Sequence, residues 1–284
     1  MFAFRVVLFI INRFFDEKDI LRLFSFLVDA KGLDLLKIAY NKIGILKYQS
    51  PKLSGETYLM DTILKSQLAS KAKPVLFDVG ANVGNYTQEL TETFPEASIY
   101  AFEPNNHTYA ELKKYQNLRV HCINSGLGSE EKMNIMYSYA NDLNSEHATL
   151  YKDVLTDLHG TKTVQEINFH ITSLDKFSIL NNLEFIDFLK IDTEGHELEV
   201  LKGAKEMLSK NKIGIIQFEF NEMNVVSRVF LKDFYSFLSN YFIYRLDSER
   251  LIPLFSYSSS NEIFQFQNFV AFNKAIYPSG SPVK

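Results

Sequence analysis

The sequence predicts an α/β domain: a mostly parallel β-sheet with helices on both faces, preceded by a helical N-terminal extension. A short apolar strand runs through an acid into the glycine turn 80–84 and then into a helical segment, the arrangement that places nucleotide-like ligands at the carboxyl end of a sheet. Apolar strands then alternate with helices as far as residue 220, which indicates right-handed crossovers and parallel strands. The first fifty residues carry apolar side chains at helical spacing instead.

Composition limits the classes of function. The chain has 284 residues, of which 46% are hydrophobic and 23% charged, enough for one large globular domain with an extension. The net charge is −4 and no basic block is present, so no nucleic-acid partner is predicted. Cys122 is the only cysteine, which excludes an internal disulfide and favours a reducing, cytoplasmic location.

The N-terminal stretch, residues 1–15, is strongly apolar. Arg5 and Arg13 interrupt it, and it is shorter than the roughly 18–20 residues of a membrane span. Three alternatives stay open: a helix docked on the core, a helix lying on a membrane surface, which would make the protein membrane-peripheral, and a dimer contact.

A boundary is predicted near the Pro, Ser and Gly residues of the segment Ser50–Gly55, which has the composition of a loop. Helical spacing continues over residues 16–47 before it. We therefore expect a helical extension over residues 1–53 and the main domain over residues 54–284.

The main domain opens with an amphipathic helix, Glu56–Leu68, whose start is placed to cap a ligand site. The first strand then leads through Asp78 into the turn, where Gly80 and Gly84 let the backbone approach a ligand closely. Asn82 stands where the dinucleotide fingerprint requires a glycine, so a pyrophosphate is disfavoured. A ligand with a ribose and an adenine but no phosphate fits better, and S-adenosylmethionine is the common one.

An acid, Glu103, closes the second predicted strand, residues 98–103. It lies 19 residues after Gly84, about the distance at which an acid accepts both ribose hydroxyls of a bound cofactor. The alternative is a solvated glutamate at a strand end, but the glycine turn before it favours the ribose role.

The third strand, residues 119–124, follows a helix at 107–115 and ends in Asn124 and Ser125. Both residues fall on the ligand edge of a parallel sheet. Asn124 is a candidate hydrogen-bond partner of the adenine amine, with an ordinary turn asparagine as the alternative.

The alternation changes between Lys132 and Phe177. Residues 133–137 and 167–171 alternate as strands, and the polar stretch Ser138–Glu166 separates them. An insertion of this length in a compact domain is usually functional or disordered, so we expect it to set substrate specificity.

A dense polar cluster follows the strand at residues 188–191: Asp192, Glu194 and His196, with a helix over 197–209. Such groups predict a general base, a group that orients a substrate hydroxyl, or oxygen ligands of a divalent ion. The alternative is that the glutamates only favour the helix N-terminus.

The fifth strand, residues 213–220, carries Glu219 inside an apolar run. A charge in such a run is expected to face the site or to find a partner. A helix at 230–239 and two strands, 241–246 and 267–273, complete the domain, and the two strands are predicted to pair antiparallel at an edge.

Six ordered segments resemble the FkbM family of S-adenosylmethionine-dependent methyltransferases over about residues 54–274. They are FDVGANVGNYT, YAFEPN, INSGLGS, TSLDKF, FLKIDTEGHELEVLKGA and FQNFVAFNK. The resemblance implies the class I methyltransferase fold, a Rossmann-like seven-stranded sheet with the last hairpin reversed. It also implies an O-methyltransferase acting on hydroxyls of sugars, polyketides and other secondary metabolites.

The resemblance also implies roles for particular residues. Asp78, Gly80, Asn82 and Gly84 would line the methionine end of the cofactor, and Glu103 would hold the ribose. Asp192 and Glu194 match the family segment IDxEGxE.

The predicted reaction is methyl transfer from S-adenosylmethionine to a hydroxyl of a sugar, a glycan or a small secondary metabolite. The candidate bases are Asp192 by position and His196 by its ordinary pKa near neutrality, with Glu219 and His147 of the insertion as further candidates. Magnesium on Asp192 and Glu219 is an alternative source of activation. Two other classes stay open: a catalytically silent binding or scaffold protein and a nucleotide-dependent oxidoreductase.

Overall fold

The structure is a computed structural model that describes residues 13, 15–139, 149–158, 160, 161 and 163–279. The chain divides into two compact units, Met1–Ile43 and Gly44–Lys284. The predicted interface roles of residues 1–15 fall almost wholly outside the described residues and stay predictions, as does the role of His147.

The first unit contains two helices, α1 (Glu17–Lys31) and α2 (Leu35–Lys42). The side chains of Asp16 and Asp34 cap their N-termini, and Gly32 ends α1 in the left-handed conformation. No side chain of either helix is buried. Within the described part of the chain, no helix has the length and apolarity needed to span a bilayer.

The second unit begins ten residues before the predicted boundary, which itself stays a prediction. Ile45 is fully buried, the Leu46 N–H donates to the Phe266 carbonyl oxygen, and Lys47 pairs with Asp247 at 2.5 Å. The expected loop at 50–55 is wrong in part, because Pro51–Ser54 forms the short helix α3. Ser50 caps this helix and Pro51 takes its first position, where a missing N–H costs nothing.

The predicted amphipathic helix is present as α4, which runs through Glu56–Tyr58, Leu59–Leu64 and Lys65–Leu68. Its middle section is π-helical, with one residue more per turn than its ends. Leu59, Ile63 and Leu68 all face the core, as the spacing predicts.

The main sheet has eight strands in the order β10-β9-β11-β8-β7-β1-β2-β3. Their bounds are β1 Val75–Val79, β2 Ser98–Phe102, β3 Val120–Ile123, β7 Ile186–Ile191, β8 Ile213–Phe220, β9 Tyr241–Asp247, β10 Arg250–Pro253 and β11 Gln267–Asn273. In this sheet β1, β2, β3, β7 and β8 are parallel, and β11 runs antiparallel to both β8 and β9.

The prediction of seven strands is therefore one too few. The eighth, β10, pairs antiparallel with β9 across the turn Ser248–Glu249. Its four residues include only two apolar ones, Leu251 and Ile252, too short a run to stand out in the sequence. The predicted antiparallel pairing of β9 with β11 is confirmed.

A second sheet, in the order β4-β6-β5, stands after β3 in the chain. Its strands are β4 Gly126–Leu127, β5 Lys132–Tyr139 and β6 Val164–Thr172. The predicted insertion joins β5 to β6, and residues 140–148 in it lie outside the described residues. Beyond that gap, Thr149 pairs with Tyr137 and Val154–Leu158 forms a helical turn.

The remaining helices cover both faces of the main sheet. They are α5 Asn85–Thr93, α6 Asn106–Leu112, α7 Leu174–Leu180, α8 Glu197–Lys202, α9 Lys205–Ser209, α10 Met223–Ser227 and α11 Leu231–Phe237. The helix predicted over 197–209 is thus two helices, broken at Gly203.

Alternate residues of each strand enter two separate cores. Phe77, Leu189 and Phe218 pack with α8 and α11 on one face, whereas Leu76 and Phe188 pack with α4 on the other. Both faces are buried, so the carboxyl ends of β1, β2, β7 and β8 remain as the place where polar side chains gather.

Candidate active site

The glycine turn ties three strand ends together. The N–H groups of Gly80 and Ala81 donate to the Phe102 carbonyl oxygen at the end of β2. Gly80 has φ +82°, and a Cβ there would stand 1.7 Å from the Asp192 carbonyl oxygen. Only glycine fits this backbone contact between β1 and β7.

Glu103 is buried at the end of β2, 6% exposed. One of its carboxylate oxygens accepts the Asn82 N–H at 2.9 Å and the other accepts the Asn105 N–H at 2.8 Å. Burial raises the pKa of Glu103, and these donors oppose the rise. The Thr108 side chain also hydrogen-bonds the carboxylate, which is therefore fixed in place and keeps acceptor capacity for a ligand.

The loop after β7 is held by a buried acid, Glu197. One oxygen of its carboxylate accepts the N–H groups of Thr193 and Gly195 at 2.9 and 3.1 Å. Glu194 lies between them with φ +54°, and its carbonyl oxygen accepts the Thr149 hydroxyl. Glu197 therefore organises the loop that presents Asp192 and Glu194.

A buried lysine, Lys190, stands at the centre of the site. Its Nζ lies 3.1 Å from Asp192 Oδ2, 3.7 Å from Asp78 Oδ1 and 4.9 Å from the ring centroid of Tyr86. Burial alone would lower the pKa of Lys190, but the carboxylates of Asp192, Asp78 and Glu56 raise it above its ordinary value. Lys190 is therefore a permanent cation that orients Asp192.

Two cavities open at these strand ends. The Glu103 cavity has mostly apolar walls: Val79, Gly80, Asn82, Phe102, Glu103, Pro104, Thr108, Gly126, Leu127, Met136, Leu150, Phe169, Ile171, Asp192, Thr193, Glu194 and His196. The Glu219 cavity, of about 830 Å³, is rich in acids: Tyr48, Pro51, Glu56, Gly80, Ala81, Asn82, Val83, Asn85, Tyr86, Glu89, Lys190, Asp192, Glu194, Glu219, Asn221, Glu222, Met223 and Phe266. The second is within the size range of small-molecule sites.

Four predicted site residues line both cavities: Gly80, Asn82, Asp192 and Glu194. The two cavities therefore meet at the glycine turn and the loop after β7. Glu103 and His196 line only the first cavity, and Glu219 lines only the second.

Four other predicted cofactor residues line neither cavity: Asp78, Gly84, Asn124 and Ser125. Asp78 accepts the Thr87 hydroxyl at 2.6 Å, and a Cβ on Gly84 would stand 2.6 Å from the Tyr115 ring. Their direct contact with a cofactor stays a prediction.

The side chains of Asn124 and Ser125 donate hydrogen bonds to backbone carbonyl oxygens. The Asn124 amide donates to the carbonyl oxygen of Glu103 at 3.0 Å, and the Ser125 hydroxyl donates to that of His170 at 2.8 Å. They thereby hold the ends of β2, β3 and β6 together around Glu103.

His196 differs from its expected state. Burial lowers the pKa of His196 to about 4; the charge of Glu199 opposes this shift, and the charges of Lys132 and Lys202 add to it. The expectation that it titrates near neutrality is therefore wrong, and its imidazole is neutral at pH 7.

Glu219 has the opposite perturbation. Burial first, and then the charges of Asp192, Glu194 and Glu197, raise its pKa well above the ordinary value. Its carboxylate accepts a hydrogen bond from the Asn221 side-chain amide. The raised pKa makes the Glu219 carboxylate a stronger base than an ordinary glutamate.

Among the residues of the Glu219 cavity that the sequence argument did not name as site residues are Glu56, Tyr86 and Lys190. The Tyr86 hydroxyl donates to Gln217 at 2.9 Å, and Gln217 in turn donates to Glu56 at 3.2 Å. Lys190, like Glu219, is a charged residue inside an apolar strand. The same argument therefore predicts that Lys190 faces the site or has a partner.

Within the described ranges, no group of three or more His, Cys, Asp or Glu side chains is arranged to hold a metal ion. Asp192 and Glu219 would thus supply only two protein ligands to a magnesium ion, and this alternative stays untested.

The Glu103 cavity offers acceptors of the kind that a ribose and a base need, in a space of about 70 Å³, below the roughly 300–1,000 Å³ of typical ligand sites. Glu103 retains acceptor capacity, and Asn82 Oδ1 is buried with no hydrogen-bond partner among the described residues. Buried polar atoms are normally paired, so such an atom marks a place where a ligand's donor is expected. The carboxylates of the neighbouring cavity suit the cationic methionine end.

Comparisons with known proteins agree with this geometry. The family profile described as Methyltransferase FkbM domain matches residues 78–242. Methyltransferase sdnD of Sordaria araneosa is 30% identical over 48% of this chain and 62% of that protein. The hexuronic acid methyltransferase AglP of Haloferax volcanii is 26% identical over 58% of this chain and 63% of that protein.

The 2-O-methyltransferase NoeI of Sinorhizobium fredii is 22% identical over 55% of this chain and 68% of that protein. The chain spans about three fifths of the length of several such relatives, from 58% to 63%. The profile match covers more than half of the chain and includes the glycine turn, Glu103, Asp192 and Glu219. The chain belongs to the FkbM methyltransferase family.

Proposed function

We propose that this protein is an S-adenosylmethionine-dependent methyltransferase that methylates a hydroxyl group of a sugar, a glycan or a small secondary metabolite. The observation that carries the proposal is the junction of two cavities at Gly80, Asn82, Asp192 and Glu194. One cavity suits a nucleoside and the other a polar acceptor, and a transferred group must stand where they meet.

The Glu103 cavity holds the adenosine part of the cofactor. Glu103 accepts the ribose hydroxyls, since its carboxylate is already oriented by two backbone donors. The methionine end passes the glycine turn into the Glu219 cavity. When bound, S-adenosylmethionine supplies an electrophilic methyl group on a sulfonium.

The protein's own residues position the acceptor and remove its proton. Glu219 takes the hydroxyl proton, because burial and neighbouring charges raise the pKa of its carboxyl group. Lys190 holds Asp192 at the junction, where Asp192 orients the acceptor oxygen. Holding the two reactants in line supplies up to about 7–11 kcal/mol of the barrier reduction.

The mouth of the Glu219 cavity supports a sugar-like acceptor. Tyr48 and Phe266 line it and form an edge-to-face pair with ring centroids 6.0 Å apart. Aromatic rings bind the apolar faces of sugars, while carboxylates accept sugar hydroxyls. Two relatives are named for a hexuronic acid and for a 2-O-methyl product, which also favours an oxygen acceptor on a sugar.

The test is transfer of a labelled methyl group from S-adenosylmethionine to fractionated glycans and metabolites. We expect a labelled methyl ether with the wild-type chain and a loss of turnover of about 100-fold in Glu219→Gln, typical of losing a general base. Glu103→Ala should weaken S-adenosylhomocysteine binding by about 1.5–3 kcal/mol, the value of hydrogen bonds to a charged acceptor.

The outcomes separate the alternatives. Cofactor binding without transfer to any fraction would favour a silent binding protein, and binding of NAD in place of S-adenosylhomocysteine would favour an oxidoreductase. Loss of activity in chelator, restored by Mg²⁺, would move proton removal from Glu219 to a metal site.

A further inference from the structure

The ring of His196 lies in the same cavity as Glu103 and outside the cavity of Glu219. It stands at the N-terminal end of α8, on the loop that Glu197 organises. Its Nε2 is close to Gly128, where a Cβ would come within 3.0 Å of it. A base for the acceptor hydroxyl belongs in the other cavity, so His196 is poorly placed for that role.

Both ring nitrogens of His196 are buried, and neither has a hydrogen-bond partner among the described residues. Buried polar atoms in folded proteins are nearly always paired, and leaving one unpaired is costly. A bound molecule that completes the site is a direct explanation. The low pKa agrees, since a neutral imidazole offers one donor and one acceptor to such a molecule.

The surroundings of the ring suit a flat heteroaromatic base. Leu127, Phe169 and Ile171 line the cavity with apolar surface. The carboxylates of Glu103, Asp192 and Glu194 also line the cavity, but they are not among the charged groups that act on His196, which are Glu199, Lys132 and Lys202. A neutral ligand with a few polar edge atoms fits these walls better than an ion.

We propose that His196 is a cofactor-binding residue whose imidazole hydrogen-bonds the amino edge of the adenine ring. The assignment rests on the proposed function, because the adenine is carried into this cavity by the ribose that Glu103 holds. His196 therefore contributes to binding of S-adenosylmethionine and of its demethylated product alike.

Titration calorimetry with S-adenosylhomocysteine tests the assignment without needing the acceptor. We expect His196→Ala to bind at least tenfold more weakly than wild type, and His196→Gln to recover part of the loss because its amide can donate and accept. His121→Ala is the matched control, since His121 is exposed on β3 and lines neither cavity. Melting curves of each variant confirm that the fold is kept.

A second ligand distinguishes a contact between His196 and the adenine ring from a merely structural effect of the substitution. In the 6-deamino analogue of S-adenosylhomocysteine, hydrogen replaces the adenine amino group. Wild type should bind this analogue about tenfold more weakly than the parent, whereas His196→Ala should distinguish the two by less than threefold.

Equal discrimination in wild type and His196→Ala would overturn the assignment, and so would an unchanged affinity of His196→Ala for the parent ligand. Both results leave the proposed function standing, because wild type still binds. Failure of the wild-type chain to bind S-adenosylhomocysteine would instead overturn the proposed function and this assignment together.

Discussion

At the scale of single residues, the ionisable groups of the site differ because their surroundings differ. His196 and Glu219 are both partly buried, and burial lowers the pKa of the first and raises the pKa of the second. Each shift disfavours the charged form. At neutral pH the His196 imidazole is therefore uncharged, and the Glu219 carboxylate binds a proton more tightly than an ordinary glutamate does.

The lowered pKa of His196 predicts an acid-sensitive contribution to stability. Between its ordinary value of 6.5 and the folded value of about 4, the unfolded chain binds a proton that the folded chain does not. The free energy of unfolding should therefore fall as the pH drops through this window. Between pH 7 and pH 4.5, the free energy of unfolding of His196→Leu should fall by about 2 kcal/mol less than that of wild type.

Urea unfolding of both proteins at these two pH values measures the effect as a difference. Glu103, Glu197 and Glu219 have raised pKa values and change stability in the opposite direction, but they are common to both proteins. A pH dependence that is identical in wild type and His196→Leu would contradict a depressed pKa.

Sequence reasoning found residues whose chemistry is visible from strand ends and missed residues whose partners are distant in the chain. Glu103 and Asp192 follow apolar strands directly, so their position was predictable. Glu56 joins the site through Gln217, which is 161 residues away, and no local pattern announces that contact. Asp78 and Gly84 occupy family motif positions, yet Asp78 contacts Thr87 and Lys190, and Gly84 lies against the ring of Tyr115.

At the scale of elements, local spacing predicted the longer strands and helices but missed short ones such as β10, and it did not predict where a helix is interrupted. The apolar spacing of residues 197–209 is continuous, but the structure breaks the helix between α8 and α9. The cause is a contact from outside: a Cβ on Gly203 would stand 2.0 Å from the carbonyl oxygen of Gly128. Close backbone approaches of this kind depend on the packing of a second sheet that the sequence does not display.

Gly203→Ala should therefore destabilise the protein by about 1–3 kcal/mol through overpacking, even though alanine favours helices. The clash is with backbone, which cannot rotate away. Lys202→Ala, one residue earlier on an exposed position, is the matched control and should cost less than about 0.5 kcal/mol. Chemical unfolding of wild type, Gly203→Ala and Lys202→Ala measures these differences in stability. A Gly203→Ala protein more stable than wild type would show that α8 and α9 can form one helix without cost.

At the scale of the whole molecule, every described residue of the two cavities lies in the second unit, Gly44–Lys284. Removal of residues 1–43 should leave S-adenosylhomocysteine affinity within about threefold of the full chain. Removal of residues 1–47 should instead lower the melting temperature, because it deletes the fully buried Ile45 and the Lys47–Asp247 pair.

Calorimetry and melting curves on the two truncations test this boundary. Equal stability of both would place the domain start nearer residue 54, as the sequence predicts. Loss of binding on removing only residues 1–43 would show that the first unit is needed for the cofactor site.

The wall of the Glu219 cavity is built from chain on both sides of the segment that the family profile matches. Tyr48, Pro51 and Glu56 precede residue 78, and Phe266 follows residue 242. If the Glu219 cavity holds the acceptor, as proposed, these four residues can change the shape of its wall without any change in the segment that the profile matches. Two proteins that match the same family profile can then use one methyl donor and methylate unrelated acceptors.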